Sequence, residues 1–339
     1  MNMTHPLIHS WGFDGQGGGG SLEWNRISNA DVAQLQPCWL HLNRNSENAV
    51  HWIRHRSGVG PHAVTALLAS ETRPRYQRFN DGAVLLLRSI NENEGHDFHD
   101  MVALRVWVDA TGIISMRGRR LHFIDEIHAS LENGAGPRNP GELLVAFLER
   151  LTARMEPNLD RMQEQLEELE NYTLSQHEPQ EMRRDGPRIR QKLGDLRVAA
   201  VALRRYLAPQ KEAIARLMGE EFPWLPPEMK PRLLEVVNET LRLMEDLDEI
   251  RDTAGIIQDS VANAITAGLN DLVFKLTMMS AFFMPLSFIV GWFGSNVSGL
   301  FLNADSPWFP TQQGFLLEGA VLVAIGVIEV WIFKRLKWL

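Results

Sequence analysis

Residues 276–293 read LTMMSAFFMPLSFIVGWF and contain no ionisable side chain. At about 1.5 Å per helical residue, this run can cross a hydrocarbon core about 30 Å thick with little tilt. A second apolar run, FLLEGAVLVAIGVIEVWIF, covers residues 315–333. We therefore expect a transmembrane hairpin over residues 273–339, with a short external loop at 294–314 and a C-terminal tail.

Two carboxylates, Glu318 and Glu329, interrupt the second run. Both lie within about a turn or so of the ends of the run, where a carboxylate can reach lipid headgroups or water. This is the simpler interpretation, and the alternative is a role in proton handling, since acidic residues in membrane helices serve as proton relays.

The distribution of basic residues predicts the orientation of the hairpin. The loop 294–314 contains no Lys or Arg, whereas Lys275 precedes the first run and Lys334, Arg335 and Lys337 follow the second. Positive residues remain on the cytoplasmic side of a membrane. We therefore expect a multi-pass protein with both termini in the cytoplasm.

The composition of the whole chain excludes several classes of protein. The 339 residues carry a net charge of −8, which argues against a nucleic-acid-binding protein. The single cysteine, Cys38, excludes a disulfide scaffold and a thiolate metal cage within one subunit. The sequence contains no nucleophile–base pair, phosphate loop or complete metal motif, so we expect neither an enzyme nor a bound cofactor.

The rest of the chain divides into three segments. Residues 1–20 end in four glycines and are expected to be a mobile N-terminal segment. Residues 21–140 predict an α/β domain, because short β-rich runs alternate with helical patterns. The predicted strands are 38–42, 83–90, 101–108 and 113–117, and the predicted helices are 31–36, 60–70 and 122–133.

Residues 141–272 predict a helical stalk. Helices are expected over 142–175 and 181–218, and a third from about residue 231 into the first membrane span. The apolar positions Leu234, Val237, Leu241, Met244 and Leu247 of the third helix keep a spacing of three or four. A helix of about 60 residues cannot be buried by its own chain, so it implies a stalk of several helices. Its acidic side chains predict a solvated or inter-subunit surface, with a regulatory site for divalent cations as the alternative.

Two spans cannot enclose a hydrophilic path, so conduction requires several copies around an axis. The first span offers a stripe of mostly small or polar side chains at helical spacing. Its members are Asn270, Val273, Thr277, Ser280, Met284, Ser287 and Gly291. The stripe predicts a pore lining, and a small-residue seam for helix packing is an equally good interpretation.

The metal ligands available near the membrane indicate in what form an ion would cross it. Every histidine lies at or before His177, so the membrane segment offers neither imidazole nor thiolate, the ligands that a dehydrated zinc ion prefers. The outer loop offers neutral oxygen atoms that suit an ion that keeps its water shell, on Ser295, Asn296, Ser298 and Asn303. The negative charge of Asp305, repeated in each subunit of an oligomer, would concentrate cations at the mouth. In the α/β domain, His96, His99 and Asp100 are weak candidates for metal binding, and a solvated loop is the simpler interpretation of them.

Several segments together resemble the CorA superfamily of metal-ion transporters. Residues 284–296 read MPLSFIVGWFGSN at the outer end of the first span, where the superfamily carries Gly-Met-Asn. The middle residue here is serine, in Gly294-Ser295-Asn296, and the zinc-transporter (ZntB) branch tolerates such a change. The segments ETRPR (71–75), LRVWVD (104–109), YLAPQ (206–210) and FPWL (222–225) are also similar to that branch.

The resemblance implies a CorA-like homopentameric funnel in a bacterial cytoplasmic (inner) membrane. Each subunit would contribute an α/β cytosolic domain, a long helical stalk and two transmembrane helices. Proton-coupled uptake of Zn²⁺ is the implied function, with an outer selectivity ring formed by Asn296 beside Gly294 and Ser295. The assignment of Leu276 to the pore lining comes from the resemblance alone. The alternatives are a Mg²⁺/Co²⁺ channel and a non-conducting membrane-anchored sensor or scaffold.

Overall fold

The computed structural model describes residues 5–29, 37–175, 179–293 and 311–335. The chain forms two compact units. The first comprises Met1–Gln176 and Arg188–Ser260, and the second comprises His177–Pro187 and Val261–Leu339. The first unit contains an α/β sheet domain, and the second contains the most apolar part of the chain.

A seven-stranded sheet organises the first unit. Its strands are β1 (Leu7–Phe13), β2 (Gly19–Gly20), β3 (Cys38–Asn43), β4 (Arg75–Phe79), β5 (Gly82–Ser89), β6 (Val102–Asp109) and β7 (Gly112–Arg117). Their order in the sheet is β2-β1-β3-β7-β6-β5-β4. Strands β3 and β7 pair in parallel, and the other neighbouring pairs are antiparallel.

Helices cover both faces of the sheet, as the continuous apolar runs in its central strands require. After α1 (Trp24–Asn29), helices α2 (Glu47–His55) and α3 (Pro61–Leu68) pack on one face against Leu42, Leu86 and Met116. Helices α4 (His122–Glu132) and α5 (Pro140–Ala153) follow β7. On the second face the ring of Trp39 lies 5.7 Å from that of Phe147 in α5.

The four predicted strands are confirmed, with each end within one residue of its predicted position. Helices α3 and α4 confirm two predicted helices, and the helix predicted over 31–36 lies outside the described residues. The expectation of a mobile segment over residues 1–20 is wrong for residues 7–13 and 19–20. Strand β1 pairs with β3 and buries Trp11 and Phe13, which anchors this segment to the sheet.

The helices predicted after residue 140 are confirmed, except that one of them is divided in two. The single helix predicted over 142–175 is two helices, α5 and α6 (Glu156–Leu174), and Pro157 lies in the first turn of α6. Proline is tolerated there but disrupts a helix interior, so the chain restarts its helix at this residue. Helices α7 (Pro179–Met218), α8 (Met229–Phe293) and α9 (Thr311–Arg335) complete the chain, and α8 has 65 residues.

The buried side of α8 differs by about one residue from the expected one at its N-terminal end. Leu233, Val236 and Leu243 are buried there, whereas Leu234 and Leu241 remain 47% and 39% exposed. Both rows of side chains are apolar, so the sequence pattern could not distinguish them. The exposed row leaves an apolar surface along α8 that this chain does not cover.

Candidate functional site

The residues predicted to line a pore all lie on α8 within the second unit. Each of them is exposed in the single chain. They are Asn270, Val273, Leu276, Thr277, Ser280, Met284, Ser287 and Gly291. Because an α-helix turns by about 100° per residue, their spacing of three or four residues keeps them on one side of α8.

The opposite side of α8 packs against α9. Phe282, Leu286 and Ile289 of α8 are half-buried, and a Cβ atom built on Gly326 of α9 would lie 3.9 Å from Cζ of Phe282. Around the axis of α8, Ser280 lies about 160° from Phe282 and Gly291 lies about 180° from it. The predicted stripe therefore faces away from α9. On that side of α8 it is open to contact with a second copy of the chain or with a water-filled path.

Within the described residues, one helix is long and apolar enough to cross a membrane by length and composition, over Met229–Trp292. None of its most apolar window is buried inside the chain. Helix α9 occupies the place of the second predicted span. That α9 crosses the membrane, and that both termini are cytoplasmic, stay predictions.

The outer end of the predicted pathway contains Gly294, Ser295, Asn296 and Asp305. All four lie outside the described residues, since the description of α8 ends at Phe293 and resumes at Thr311. Their role near a selectivity ring stays a prediction.

The acidic surface of α8 in the first unit carries partly buried carboxylates. Burial, reinforced by the charges of Glu156 and other nearby carboxylates, raises the pKa of Glu239. Burial and the charges of Glu249 and Glu245 raise the pKa of Asp246 in the same way. Across the part of the chain that the structure describes, no group of three or more His, Cys, Asp or Glu side chains is placed to hold a metal ion.

The weak metal candidates do not form a ligand set. His96, His99 and Asp100 line three different cavities. Asp100 instead accepts a hydrogen bond of 2.7 Å from Nη1 of Arg119, which lowers the pKa of its carboxyl group. These side chains diverge because their loop follows β5 without a regular element to align them.

Glu329 has a position that the sequence pattern did not reveal. It lies on α9 near Ile325 and Phe333 and is half-buried within the chain. One of its carboxyl oxygens, Oε2, is inaccessible and has no hydrogen-bond partner among the described residues. Its position near the end of the apolar run suggested contact with headgroups, and its partial burial could not be read from that position.

Comparison with known proteins identifies the family of this chain. A family model described as "CorA-like Mg²⁺ transporter protein" matches residues 34–335. The chain is 32% identical over 334 residues to the divalent cation transporter CmaX of Pseudomonas aeruginosa, which covers 98% of this chain and 97% of that protein. It is 31% identical over 332 residues to the zinc transport protein ZntB of Pectobacterium atrosepticum. That alignment covers 98% of this chain and 96% of ZntB. A solved structure of full-length CmaX superposes with a TM-score of 0.79 at 29% identity over 99% of both chains. The chain therefore belongs to the CorA-like transporter family.

Proposed function

We propose that this chain takes up Zn²⁺ as a hydrated ion through a pore on the axis of a homopentamer, coupled to a proton gradient. Divalent-cation transport across a membrane is the function of the family, whose members are transporters and not enzymes. The observation that carries the proposal is the polar stripe of α8, which lies opposite the face packed on α9.

The chemistry of the stripe supports a hydrated ion. Thr277, Ser280 and Ser287 offer hydroxyl groups, and Asn270 offers an amide. Neutral oxygen atoms can hydrogen-bond to the water shell of a cation, but they do not replace the imidazole or thiolate ligands of dehydrated zinc. Zinc is favoured over magnesium because Ser295 stands where the superfamily carries methionine, and because ZntB is among the relatives.

A flux assay tests the proposal. The purified protein is reconstituted into proteoliposomes loaded with a zinc-sensitive dye, and uptake is measured with and without a pH gradient. Mg²⁺ and Co²⁺ are then added as competitors. We expect Zn²⁺ uptake that exceeds that of empty vesicles and increases with an inward proton gradient. Uptake equal to that of empty vesicles would contradict transport, and stronger flux of Mg²⁺ or Co²⁺ would favour a Mg²⁺/Co²⁺ channel.

Asn296→Ala is expected to reduce Zn²⁺ uptake at least about tenfold while oligomers still form. The variant removes an amide that would hydrogen-bond to the water shell of the ion at the mouth, once from every subunit. Proteoliposome flux and size-exclusion chromatography measure the two effects. Asn25→Ala, the same substitution at an exposed position of α1 in the sheet domain, serves as the control and should transport normally. Unchanged flux in Asn296→Ala would remove Asn296 from the selectivity ring.

Glu329→Gln is expected to abolish the stimulation of uptake by a pH gradient while leaving uptake down a Zn²⁺ gradient within about twofold. The unpaired carboxyl oxygen of Glu329 makes it the best-placed proton carrier among the described residues of α9, since membrane carboxylates act as proton relays. Uptake is measured at equal and at unequal pH across the vesicle. A variant that still responds to the gradient would exclude Glu329 from proton coupling.

A further inference from the structure

Four arginines gather on one face of the sheet. Arg75 of β4 and Arg105 of β6 both stand opposite Leu86 of β5, so their side chains share a face. Arg88 lies two residues beyond Leu86 on the same face, and Arg44 directly follows β3. Arg44 and Arg88 lie at the edge where the parallel strands β3 and β7 reach their carboxyl ends. In open α/β sheets this edge is where ligands bind.

Three of the four arginines cap the end of α3, and Arg88 instead donates to Thr72 and to the carbonyl oxygen of Met101. Three of the guanidinium groups donate to the last carbonyls of α3 and to Ala69. The bonds run from Arg105 Nη1 to Leu67 O (2.9 Å) and Ala69 O (2.6 Å), from Arg44 Nη2 to Leu68 O (3.4 Å) and from Arg75 Nη2 to Ala66 O (3.5 Å). A helix end carries roughly half a negative charge, far less than four guanidinium groups.

Described carboxylates balance little of the remaining positive charge, since Asp100 acts on Arg88 but forms its ion pair with Arg119. None of the four arginines forms an ion pair with a described carboxylate. Arg105 is only 4% exposed, and the Nε groups of Arg44 and Arg75 are buried without a hydrogen-bond partner among the described residues. Burial and the neighbouring charges of Arg44 and Arg88 lower the pKa of Arg105 to about 10. Buried charges are normally paired, so this cluster is suited to receive an anion.

A cavity of about 480 Å³ adjoins the cluster. Arg44, Arg88 and Arg105 line it together with Arg119, and Asp100 is its one carboxylate among the described residues. Arg119 pairs with Asp100 at 2.7 Å. The guanidinium group of Arg88 lies 4.7 Å from the ring centroid of Tyr206 and feels the charge of Asp100. Arg44 and Arg105 have no such partner among the described carboxylates and rings. The positive field disfavours a metal cation, and the volume lies within the range of small-molecule sites.

We propose that this cavity binds a phosphorylated small molecule through its phosphate group. The planar fork of a guanidinium group matches two phosphate oxygens, and several converging forks can hold a dianion. Asn45 and Ser70 also line the cavity and supply uncharged donors for the rest of the ligand. The site lies within the first unit and is distinct from the proposed ion pathway.

Isothermal titration of the metal-free, detergent-solubilised full-length protein tests the proposal. The probes are inorganic phosphate, AMP and adenosine. We expect phosphate or AMP to bind and adenosine not to bind. Binding of phosphate alone would identify free phosphate as the occupant, and binding of both would identify a phosphate monoester. Absence of binding by either, or equal binding of adenosine and AMP, would overturn the proposal.

Two variants locate the binding site. Arg44→Gln should weaken binding at least about tenfold, since it removes a charged donor. Arg54→Gln, on the exposed side of α2, is the matched control and should leave the Kd unchanged. Asp100→Asn should tighten binding about fivefold, because it removes a carboxylate that repels the phosphate and frees Arg119 to bind it. A misfolded variant would not bind more tightly, so tighter binding by Asp100→Asn cannot result from a loss of folding. An unchanged or weaker affinity in Asp100→Asn would overturn the assignment. Unchanged binding in Arg44→Gln would also overturn it.

Discussion

Ser287→Lys is expected to reduce Zn²⁺ uptake at least about a hundredfold. Ser287 lies on the exposed stripe of α8, away from the face packed on α9, so a homopentamer would place five ammonium groups around the path. At about 6 Å in water, two unit charges repel by roughly 0.7 kcal/mol, and five of them acting on a divalent ion add up to about 7 kcal/mol before screening. Salt reduces this barrier, and a hundredfold loss of flux needs less than about 3 kcal/mol of it.

The matched variant Ser287→Asp distinguishes a pore from a packing seam. In a cation path, a ring of carboxylates attracts the ion, so flux should be retained or increased. In a seam between helices or on a lipid-facing surface, either charge is costly, and both variants should lose oligomers on size-exclusion chromatography. Equal loss of assembly in the two variants would therefore favour the seam and contradict the pore lining at Ser287.

Trp39→Ala is expected to destabilise the sheet domain by about 3–5 kcal/mol. Trp39 is fully buried in β3, its ring packs against Phe147 of α5, and its Nε1 donates a hydrogen bond of 2.8 Å to Oγ of Ser115. Truncation leaves a cavity between the sheet and α5 and also leaves the hydroxyl of Ser115 without that donor. Thermal unfolding of the detergent-solubilised protein, followed by circular dichroism, measures the shift in Tm.

The variant Trp39→Phe separates packing from hydrogen bonding. It keeps most of the ring volume but loses the bond to Ser115, so we expect a smaller loss of about 1–2 kcal/mol. A Tm for Trp39→Ala within about a degree of the unsubstituted protein would contradict the role of Trp39 in the core. Equal losses for the two variants would assign its contribution to the hydrogen bond.

The elements that were predicted correctly carry a strong local signal. Strands β5, β6 and β7 are short apolar runs bounded by Gly, Asn or Asp, so their limits follow from composition. Helix α8 lacks proline between Pro231 and Pro285, which allows one uninterrupted helix in the sequence pattern. The predicted pore stripe also follows from a local signal, because residues spaced three or four apart lie on one side of a helix. Its role in conduction stays a prediction.

The features that were missed depend on partners distant in the chain. Strand β1 contains His9, Ser10 and Gly12 and lacks a clean alternating pattern, so its pairing with β3 decides its conformation. The choice between Leu233 and Leu234 as buried residues of α8 depends on which neighbouring helix approaches, since both are leucines. Local sequence contains no information on that approach.

The sequence by itself determined the α/β class, the long helix and the apolar C-terminal segment, because hydrophobic periodicity and charge distribution act over short distances along the chain. Only the tertiary structure decided which residues become neighbours. It places the α8 stripe opposite the α9 contact, separates His96 from His99 and Asp100, and brings Arg44, Arg88 and Arg105 to one cavity. Strand register and helix packing produce these contacts, and both are set by burial of residues that lie far apart in sequence.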